Sequence, residues 1–222
     1  MTDNSATVVG AGLAGCEAAW QLVRRGVSVT LVDMKPALHT PAHHTDLFAE
    51  LVCSNSFRGE RLSSAVGLLK EEMRILHSLI MHCADACRVP AGDALAVDRE
   101  GFSRMVTDSL KNHPLVTFES READAIPAGP VIIATGPLTS AAMSEAIRHL
   151  PGLDTLNFYD AAAPIVLRDS LDETKMFRLS RYGRGNDYLN CPMTEEQYDR
   201  FIDALLDAET AEVHGFEEKL RF

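Results

Sequence analysis

Residues 6–15 read ATVVGAGLAG, a short apolar run with β-branched residues that passes directly into a glycine-rich turn. Apolar residues with near-helical spacing follow over 13–25, and Gly26 is well placed to end that helix. VSVTLVD (27–33) then alternates as a second strand and ends in Asp33. This order predicts a strand–turn–helix–strand unit of the Rossmann type.

Each glycine of the turn has a physical role in such a unit. Gly10 permits the tight turn, Gly12 lets the backbone approach a pyrophosphate, and Gly15 lets helix and strand pack closely. The helix N-terminus presents free N–H groups to the anion, and Asp33 can accept hydrogen bonds from a ribose. The unit therefore predicts dinucleotide binding rather than a purely structural turn. The acid favours a free 2′-hydroxyl, as in FAD or NAD, over NADP.

A later stretch helps to choose between FAD and NAD. PVIIATGP (130–137) predicts a buried strand that ends in Ala-Thr-Gly. Strands with this ending recur in two-dinucleotide-binding flavoproteins, where they end close to FAD. A central parallel strand that is followed by a glycine turn and has no cofactor contact would show the same sequence pattern. The stretch favours FAD and leaves that structural alternative open.

The segment between Asp33 and this strand is too long for a minimal Rossmann unit. Residues 34–67 are rich in Pro, His, Ser and Asn, which predicts an ordered loop with short helices. Residues 68–87 predict one amphipathic helix. Its apolar stripe comprises Leu69, Met73, Leu76, Ile80, Cys83 and Cys87.

Cysteine and histidine residues in the predicted helix raise the question of a metal site. Cys83 and Cys87 lie four positions apart, with His77 and His82 nearby in sequence. Zinc needs about four ligands from converging elements, whereas both cysteines belong to the apolar stripe. We therefore expect core packing and no metal.

Other polar residues of the middle segment have two interpretations each. His43 and His44 are suited to bind a phosphate or transfer protons near neutral pH, but such residues are more often ordinary surface or hydrogen-bonded ones. Arg99 opens a helix predicted over 99–111 and is suited to meet a phosphate or carboxylate, or to form an ordinary salt bridge. LVTFES (115–120) predicts a further strand.

The composition limits the class of protein. Five cysteines in 222 residues, an odd number without regular spacing, favour reduced thiols in a cytoplasmic compartment over a disulfide scaffold. No apolar run approaches the roughly 18 residues that cross a bilayer, so we expect no membrane partner. The net charge of −11 weighs against a nucleic-acid substrate, because such binding draws on Lys and Arg.

One cysteine has a distinctive setting. ELVCSNS (50–56) places Cys53 between an apolar run and small polar residues. A cysteine in this context is more often a small core residue than a reactive thiol. A reactive thiol needs a helix N-terminus or a cation nearby, which the local sequence does not reveal.

Several long stretches resemble one family, in order from Val8 to about Phe222. It is the family of bacterial methylenetetrahydrofolate- and FAD-dependent tRNA (uracil-5-)-methyltransferases. Fragments such as PAHHTDLFAELVCSNS are far more specific than a glycine motif. The matching stretches are VVGAGLAGCEAAWQL, TPAHHTDLFAELVCSNS, LLKEEMR, VPAGDALAVDREGF, VIIATGPLTS, FYDAAAPIV and YLNCPMTEEQYDRF.

The resemblance implies a flavoprotein that methylates C5 of a uridine in the T-loop of tRNA. It implies that 5,10-methylenetetrahydrofolate supplies the carbon and that NAD(P)H supplies reducing equivalents through FAD. Alternatives are a ribosomal-RNA uridine methyltransferase, a related FAD/NAD(P)H oxidoreductase without an RNA substrate, and a catalytically incomplete FAD-binding fragment.

Members of that family continue beyond this sequence into a Gly-Cys-Met-Pro stretch that holds a second cysteine. The resemblance implies that this second cysteine adds to C6 of uracil, and that Cys53 works close to the flavin as a base or thiol partner. We therefore expect the sequence to be the N-terminal half of such an enzyme, with a separate C-terminal chain as one option.

Cys53 is thus the candidate catalytic residue. Asn55 is a candidate because of its adjacency to Cys53, either by contacting the flavin or by orienting the thiol. The candidate cofactor-binding residues are Gly10, Ala11, Gly12, Leu13, Ala14, Gly15, Asp33, Met34, Lys35, Asn55, Arg99, Thr135 and Gly136.

We therefore predict an α/β protein with a Rossmann-like two-dinucleotide-binding flavoprotein fold. Residues 1–36 and 88–145 are expected to form the FAD-binding domain. Residues 37–87 are expected to form a largely helical insertion that carries Cys53. Residues 146–222 are expected to begin a second, mixed α/β domain for substrate or folate.

Two features of the predicted second domain can be checked. TEEQYDRFIDALLDA predicts a helix that Thr194 caps, with two glutamates in its first turn. A basic and aromatic cluster could contact RNA or folate, or be solvated surface. It comprises Arg178, Arg181, Tyr182 and Arg184.

Overall fold

The structure, a computed structural model, describes residues 4–40, 42–150, 166–180 and 185–209. The chain divides into two compact units, residues 1–165 and 166–222. No helix within the described ranges is long and apolar enough to span a membrane.

The first unit alternates strands and helices along the chain, and a short 3-10 helix covers Gly136–Leu138. In chain order its elements are β1 (Ser5–Val9), α1 (Leu13–Val23), β2 (Ser28–Asp33), β3 (Ser56–Gly59), α2 (Ala65–Ile75), α3 (Leu79–Ala86), β4 (Arg88–Val89), β5 (Ala94–Val97), α4 (Arg99–Lys111), β6 (Val116–Ser120), β7 (Val131–Ile133) and α5 (Ala141–Arg148).

Four strands form a parallel sheet in the order β6-β2-β1-β7. The chain passes from β1 outward to β2 and β6, then returns to the other side of β1 for β7. In open α/β sheets, ligands bind at the carboxyl ends of the strands where the winding reverses. The predicted α/β, Rossmann-like fold is confirmed, and strands are found within the stretches 115–120 and 130–137. The second stretch was expected to form a buried strand, but β7 is the last strand of this sheet in the described residues and Ile132 is 39% exposed.

Helix α1 packs on this sheet through small residues. Its buried side chains include Cys16, Ala19 and Val23, which join the main core. Leu13, the first apolar residue of the predicted helix, is 37% exposed, whereas Cys16 and Ala19 are fully buried. Gly26 has φ +75° and its N–H bonds to the carbonyl of Val23, so the predicted end of the helix is confirmed.

The single helix predicted over 68–87 is wrong, because the chain breaks between α2 and α3. His77 adopts a left-handed conformation, φ +57°, and the Ser78 hydroxyl caps α3 by accepting from the N–H of Met81 at 3.1 Å. Leu69 and Leu76 of the predicted stripe are 55% and 64% exposed. Lys70, which the predicted stripe does not include, is buried and donates to the carbonyl of Gly59.

The inserted segment shares the core of the parallel sheet rather than forming a separate body. Strands β3, β5 and β4 make a small antiparallel sheet, so residues 88–97 group with the insertion in space. Cys83 lies fully buried in the main core and Cys87 packs against it, as expected for core residues. Met143 of α5 lies in a second cluster with Val9 and Val32 on the parallel sheet.

The second unit contains β8 (Phe177–Arg178) paired antiparallel with β9 (Leu189–Asn190), followed by α6 (Glu195–Leu206). Thr194 caps α6 in a reciprocal capping box with Gln197, which confirms the predicted cap. Arg178 lies 3.8 Å from Glu173. The other members of the basic and aromatic cluster, residues 181, 182 and 184, lie outside the described residues.

Candidate functional site

An open cleft of about 680 Å³ lies at the carboxyl ends of β1, β2 and β7. The topology predicts a ligand site at this edge of the sheet. The residues that line it are Val9, Gly10, Ala11, Gly12, Val32, Asp33, Met34, Lys35, Thr40, His43, Glu50, Arg121, Glu122, Ala123, Ala134, Thr135, Leu138, Ser140 and Met143.

The glycine turn shows why three positions are glycine. Gly10 has φ +102°, and a Cβ there would lie 2.5 Å from the carbonyl oxygen of Ala134. A Cβ at Gly15 would overlap the carbonyl oxygen of Gly10, so the close approach of helix and turn depends on its absence. A Cβ at Gly12 would meet nothing within 4 Å. Gly12 therefore leaves open space at the start of α1.

Helix α1 begins differently from the other described α-helices. Ser64, Ser78, Asp98, Ser140 and Thr194 each cap the following helix with a side-chain oxygen. Helix α1 begins at a glycine with no side-chain cap and has no acidic residue in its first turn. The exposed main chain of its first turn can therefore donate N–H groups to an anion in the cleft.

Asp33 ties the end of β2 to the glycine turn. Its Oδ2 accepts the N–H of Ala11 at 2.6 Å, and its Oδ1 accepts the N–H of Lys35 at 2.9 Å. A carboxylate has about four acceptor positions, so lone pairs remain for hydroxyl groups of a ligand. Both the carboxylate and Met34 line the cleft.

Lys35 is a buried cation at the wall of the cleft, only 4% exposed. Its Nζ donates to the carbonyl of Leu47 and lies 3.5 Å from Oε2 of Glu50. The Glu50 carboxylate also accepts the N–H groups of His44 at 2.9 Å and Thr45 at 3.3 Å. Burial raises the pKa of Glu50, but these hydrogen bonds and Lys35 outweigh it and leave the pKa below its usual value. The Lys35 ammonium thus links the loop that contains Leu47 and Glu50 to the end of β2.

His43 also lines the cleft, next to this ion pair. Burial, and then the charge of Lys35, lower the pKa of His43 below its usual value. The imidazole is therefore neutral near pH 7, and its Nδ1 lies 2.6 Å from the hydroxyl oxygen of Thr40. His44 is not among the described residues that line the cleft, and its main-chain N–H donates to Glu50.

Thr135 and Gly136 follow β7 at the same edge. Thr135 lines the cleft, and its hydroxyl lies 2.6 Å from that of Thr139. Gly136 adopts φ +69°, which favours glycine at the start of the 3-10 helix.

The remaining candidates form a second group, on the segment that leads into β3. Cys53 is exposed, and its carbonyl oxygen accepts a long hydrogen bond of 3.5 Å from Nη2 of Arg99. The side-chain amide of Asn55 donates to the carbonyl of Val97 at 2.9 Å, and the main-chain carbonyl of Asn55 accepts the N–H of Val97 at 3.0 Å. None of Cys53, Asn55 and Arg99 is among the described residues that line the cleft. Asn55 and Arg99 contact protein groups here, and their assignment as cofactor ligands stays a prediction.

Sequence reasoning missed several lining residues. The topology could have indicated some of them, because Arg121, Glu122 and Ala123 follow β6 and Ser140 follows β7 at one edge of the sheet. No local pattern identifies Glu50, which meets Lys35 only through the fold.

The predicted residues Leu13 and Ala14 lie in the exposed first turn of α1. There their main-chain N–H groups, rather than their side chains, are suited to bind a ligand. In the part of the chain that the structure describes, no group of three metal-ligating side chains is found.

The sequence model described as "Glucose inhibited division protein A" (GIDA) matches residues 5–222. Methylenetetrahydrofolate–tRNA-(uracil-5-)-methyltransferase TrmFO of Bacillus licheniformis is 59% identical over 221 residues, covering 99% of this chain and 51% of that protein. TrmFO of Bacillus subtilis is 58% identical over 223 residues, covering 100% and 51%. The solved structure of Aquifex aeolicus GidA in the form II crystal is 16% identical at a TM-score of 0.48, covering 60% of this chain and 25% of that one. The chain therefore spans about half the length of the curated relatives that it matches.

Proposed function

The chain belongs to the glucose inhibited division protein A family, and we propose that it is the FAD-binding portion of a uridine methyltransferase. The enzyme would methylate C5 of a uridine in the T-loop of tRNA, in the cytoplasm. 5,10-Methylenetetrahydrofolate would supply the carbon and NAD(P)H the reducing equivalents. The relatives at 58% to 59% identity are named tRNA-(uracil-5-)-methyltransferases, which supports the substrate and the reaction.

The observation that carries the FAD proposal is the arrangement around the glycine turn. Helix α1 starts without a side-chain cap, Gly12 leaves open space beside it, and the Asp33 carboxylate lines the same cleft. These features suit a diphosphate at the helix N-terminus and a ribose at the acid. The residues present thus fit the cofactor that the sequence predicted.

Different residues of the cleft would bind different parts of FAD. The main-chain N–H groups of the first turn of α1 would hold the diphosphate, and Asp33 would accept from the ribose hydroxyls. Thr135 and Gly136 would lie towards the flavin. Bound FAD would supply the redox step of the reaction. Lys35 would hold the wall of the cleft in place through Glu50 rather than contact the cofactor, since protein groups already occupy its ammonium.

Cys53 would act on the uracil. C5 of uracil is a weak nucleophile, and addition of a thiolate at C6 gives C5 the enolate character that carbon transfer needs. Loss of the C5 proton then requires a base. We propose Cys53 as the base or thiol partner, and the cysteine of the Gly-Cys-Met-Pro stretch in longer family members as the C6 nucleophile. The exposed position of Cys53 supports access by a large substrate.

The net charge of −11 favours a second candidate function, in which residues 1–222 bind FAD but do not bind and methylate RNA by themselves, because RNA binding draws on Lys and Arg. In that case the substrate-binding and nucleophilic groups lie in the half of the relatives that this sequence does not match.

The test is a flavin spectrum of the purified chain, followed by a methylation assay. The assay supplies labelled methylenetetrahydrofolate, NADPH and a tRNA transcript; a transcript with cytidine at the target position is the control. Bound flavin with label in the uridine transcript alone supports the full proposal. Bound flavin without labelling supports the second candidate. A protein that neither retains nor binds FAD contradicts both.

A further inference from the structure

The segment that leads to Cys53 is hydrogen-bonded to the glycine turn. The N–H of Ala49 donates to the carbonyl of Ala11 at 2.8 Å, and Ala11 is a residue of the turn that lines the cleft. Ala49 is buried and adopts φ +49°, a left-handed conformation that is uncommon for alanine. Surrounding contacts must therefore hold the segment in this position.

Two buried hydroxyl groups on α4 supply those contacts. Thr107 Oγ1 accepts the N–H of Phe48 at 2.8 Å and donates to the carbonyl of Ser103 at 2.7 Å. Ser103 Oγ donates to the carbonyl of Ala49 at 3.3 Å. Thr107 and Ser103 are 4% and 3% exposed, respectively. A buried main-chain N–H without a partner is unfavourable, so the Thr107 hydroxyl fixes Phe48 against α4.

The same helix and the preceding strand hold the segment again beyond the cysteine. Arg99, the first residue of α4, donates to the carbonyl of Cys53, and Asn55 pairs with Val97 of β5. Residues 48–55 are thus attached to α4 at the Phe48 end, to α4 and β5 at the Asn55 end, and to the glycine turn through Ala49.

We propose that Ser103 and Thr107 are positioning residues that couple occupation of the cleft to the conformation of the Cys53 segment. They hold Ala49 against Ala11, so a ligand that immobilises the glycine turn also immobilises residues 48–55. This proposal rests on the proposed binding of FAD. It concerns neither a ligand contact nor a chemical step by the two hydroxyl groups.

The experiment measures the rate at which iodoacetamide alkylates Cys53, by peptide mass spectrometry, with and without saturating FAD. Cys191 is also exposed and lies in the second unit, so it serves as an internal reference. In the wild-type chain we expect FAD to slow alkylation of Cys53 about fivefold or more relative to Cys191, the lower end of typical coupling between sites. In Thr107→Val and in Ser103→Ala this ratio falls towards one, although FAD still binds.

Two further variants separate positioning from general stability. Thr107→Ser keeps the hydroxyl and is expected to restore the wild-type ratio. Ser109→Ala removes another α4 hydroxyl, whose bond stays within the helix to Met105 at 2.8 Å, and is expected to leave the ratio unchanged. If Thr107→Val does not fold, the milder Ser103→Ala decides the question.

The possible failures are distinguishable. Absence of FAD binding by the wild-type chain contradicts the proposed function. FAD binding without slower alkylation of Cys53 contradicts the coupling. Slowing that persists in both variants shows that FAD shields the thiol directly, and this result also overturns the role of Ser103 and Thr107.

Discussion

The N–H of Ala11 donates a 2.6 Å hydrogen bond to Oδ2 of Asp33, which joins the glycine turn after β1 to the end of β2. The acid predicted to accept from a ribose thus also shapes the cleft in which the ribose would lie. Since the other carboxylate oxygen holds the N–H of Lys35, Asp33 orients the entry into the following loop as well.

Asp33→Ala is expected to weaken FAD binding at least tenfold and to destabilise the fold. Two part-buried N–H groups lose their acceptor, at a cost of about 1–3 kcal/mol for each group left unsatisfied. Fluorescence titration of FAD and urea unfolding measure the two effects. Asp33→Asn retains one acceptor oxygen and is expected to lie between wild type and alanine in both. Unchanged FAD affinity in Asp33→Ala would remove this residue from the binding site.

Gly12→Ala and Gly15→Ala form a matched pair at the glycine turn. A Cβ at Gly15 meets the backbone of Gly10, which cannot move aside cheaply, so we expect a loss of about 3 kcal/mol or more, the upper range for overpacking. A Cβ at Gly12 meets nothing within 4 Å, so the protein should fold while FAD binds more weakly. Circular dichroism melting and FAD titration check both; a Gly12→Ala protein with full affinity would contradict a diphosphate at this position.

The parts of the fold that sequence predicted well depend on local chemistry. The turn at Gly10, the end of α1 at Gly26 and the cap at Thr194 each need a residue type at one position. The break between α2 and α3 was missed because apolar spacing continues across it. The carbonyl groups just after α2 accept hydrogen bonds from Trp20 of α1, which donates to His77, and from Arg24 just after α1, which donates to Leu76.

The part of the site that the sequence predicted is also the part that local sequence encodes. The glycine turn and Asp33 belong to one continuous strand–turn–helix–strand unit, so their spacing was enough to predict that they lie close together. The partner of Lys35 is Glu50, which becomes a neighbour only when the insertion folds onto β2. Arg99 stays a predicted cofactor ligand; in this structure it contacts the carbonyl of Cys53, and no pattern in the sequence encodes that contact.

The cysteines are expected to differ sharply in reactivity. Burial, and then the charge of Asp33, raise the pKa of the Cys16 thiol, and burial raises that of Cys83 to about 12. Both thiols should resist alkylation in the folded protein at pH 8, because the thiolate is the reactive form. Cys53 and Cys191 are exposed and should react first. Timed alkylation with peptide mass spectrometry checks the order, and addition of urea should make all five sites react.

Glu50→Gln tests whether the ion pair with Lys35 supports the wall of the cleft. The folded-state pKa of Glu50 is lowered, so its contribution to stability is present above the unfolded value of 4.5 and is lost as pH falls through the lower folded value. We therefore expect glutamine to destabilise the protein at pH 7, where the buried ammonium of Lys35 loses its counter-charge. The free-energy difference from wild type should shrink as the pH falls below about 4.5. Urea unfolding across this range measures it. Glu145→Gln breaks an exposed pair with Arg148, and should change stability by less than about 0.5 kcal/mol at any pH. A Glu50→Gln difference that stays constant with pH would show that the carboxylate charge does not stabilise the fold.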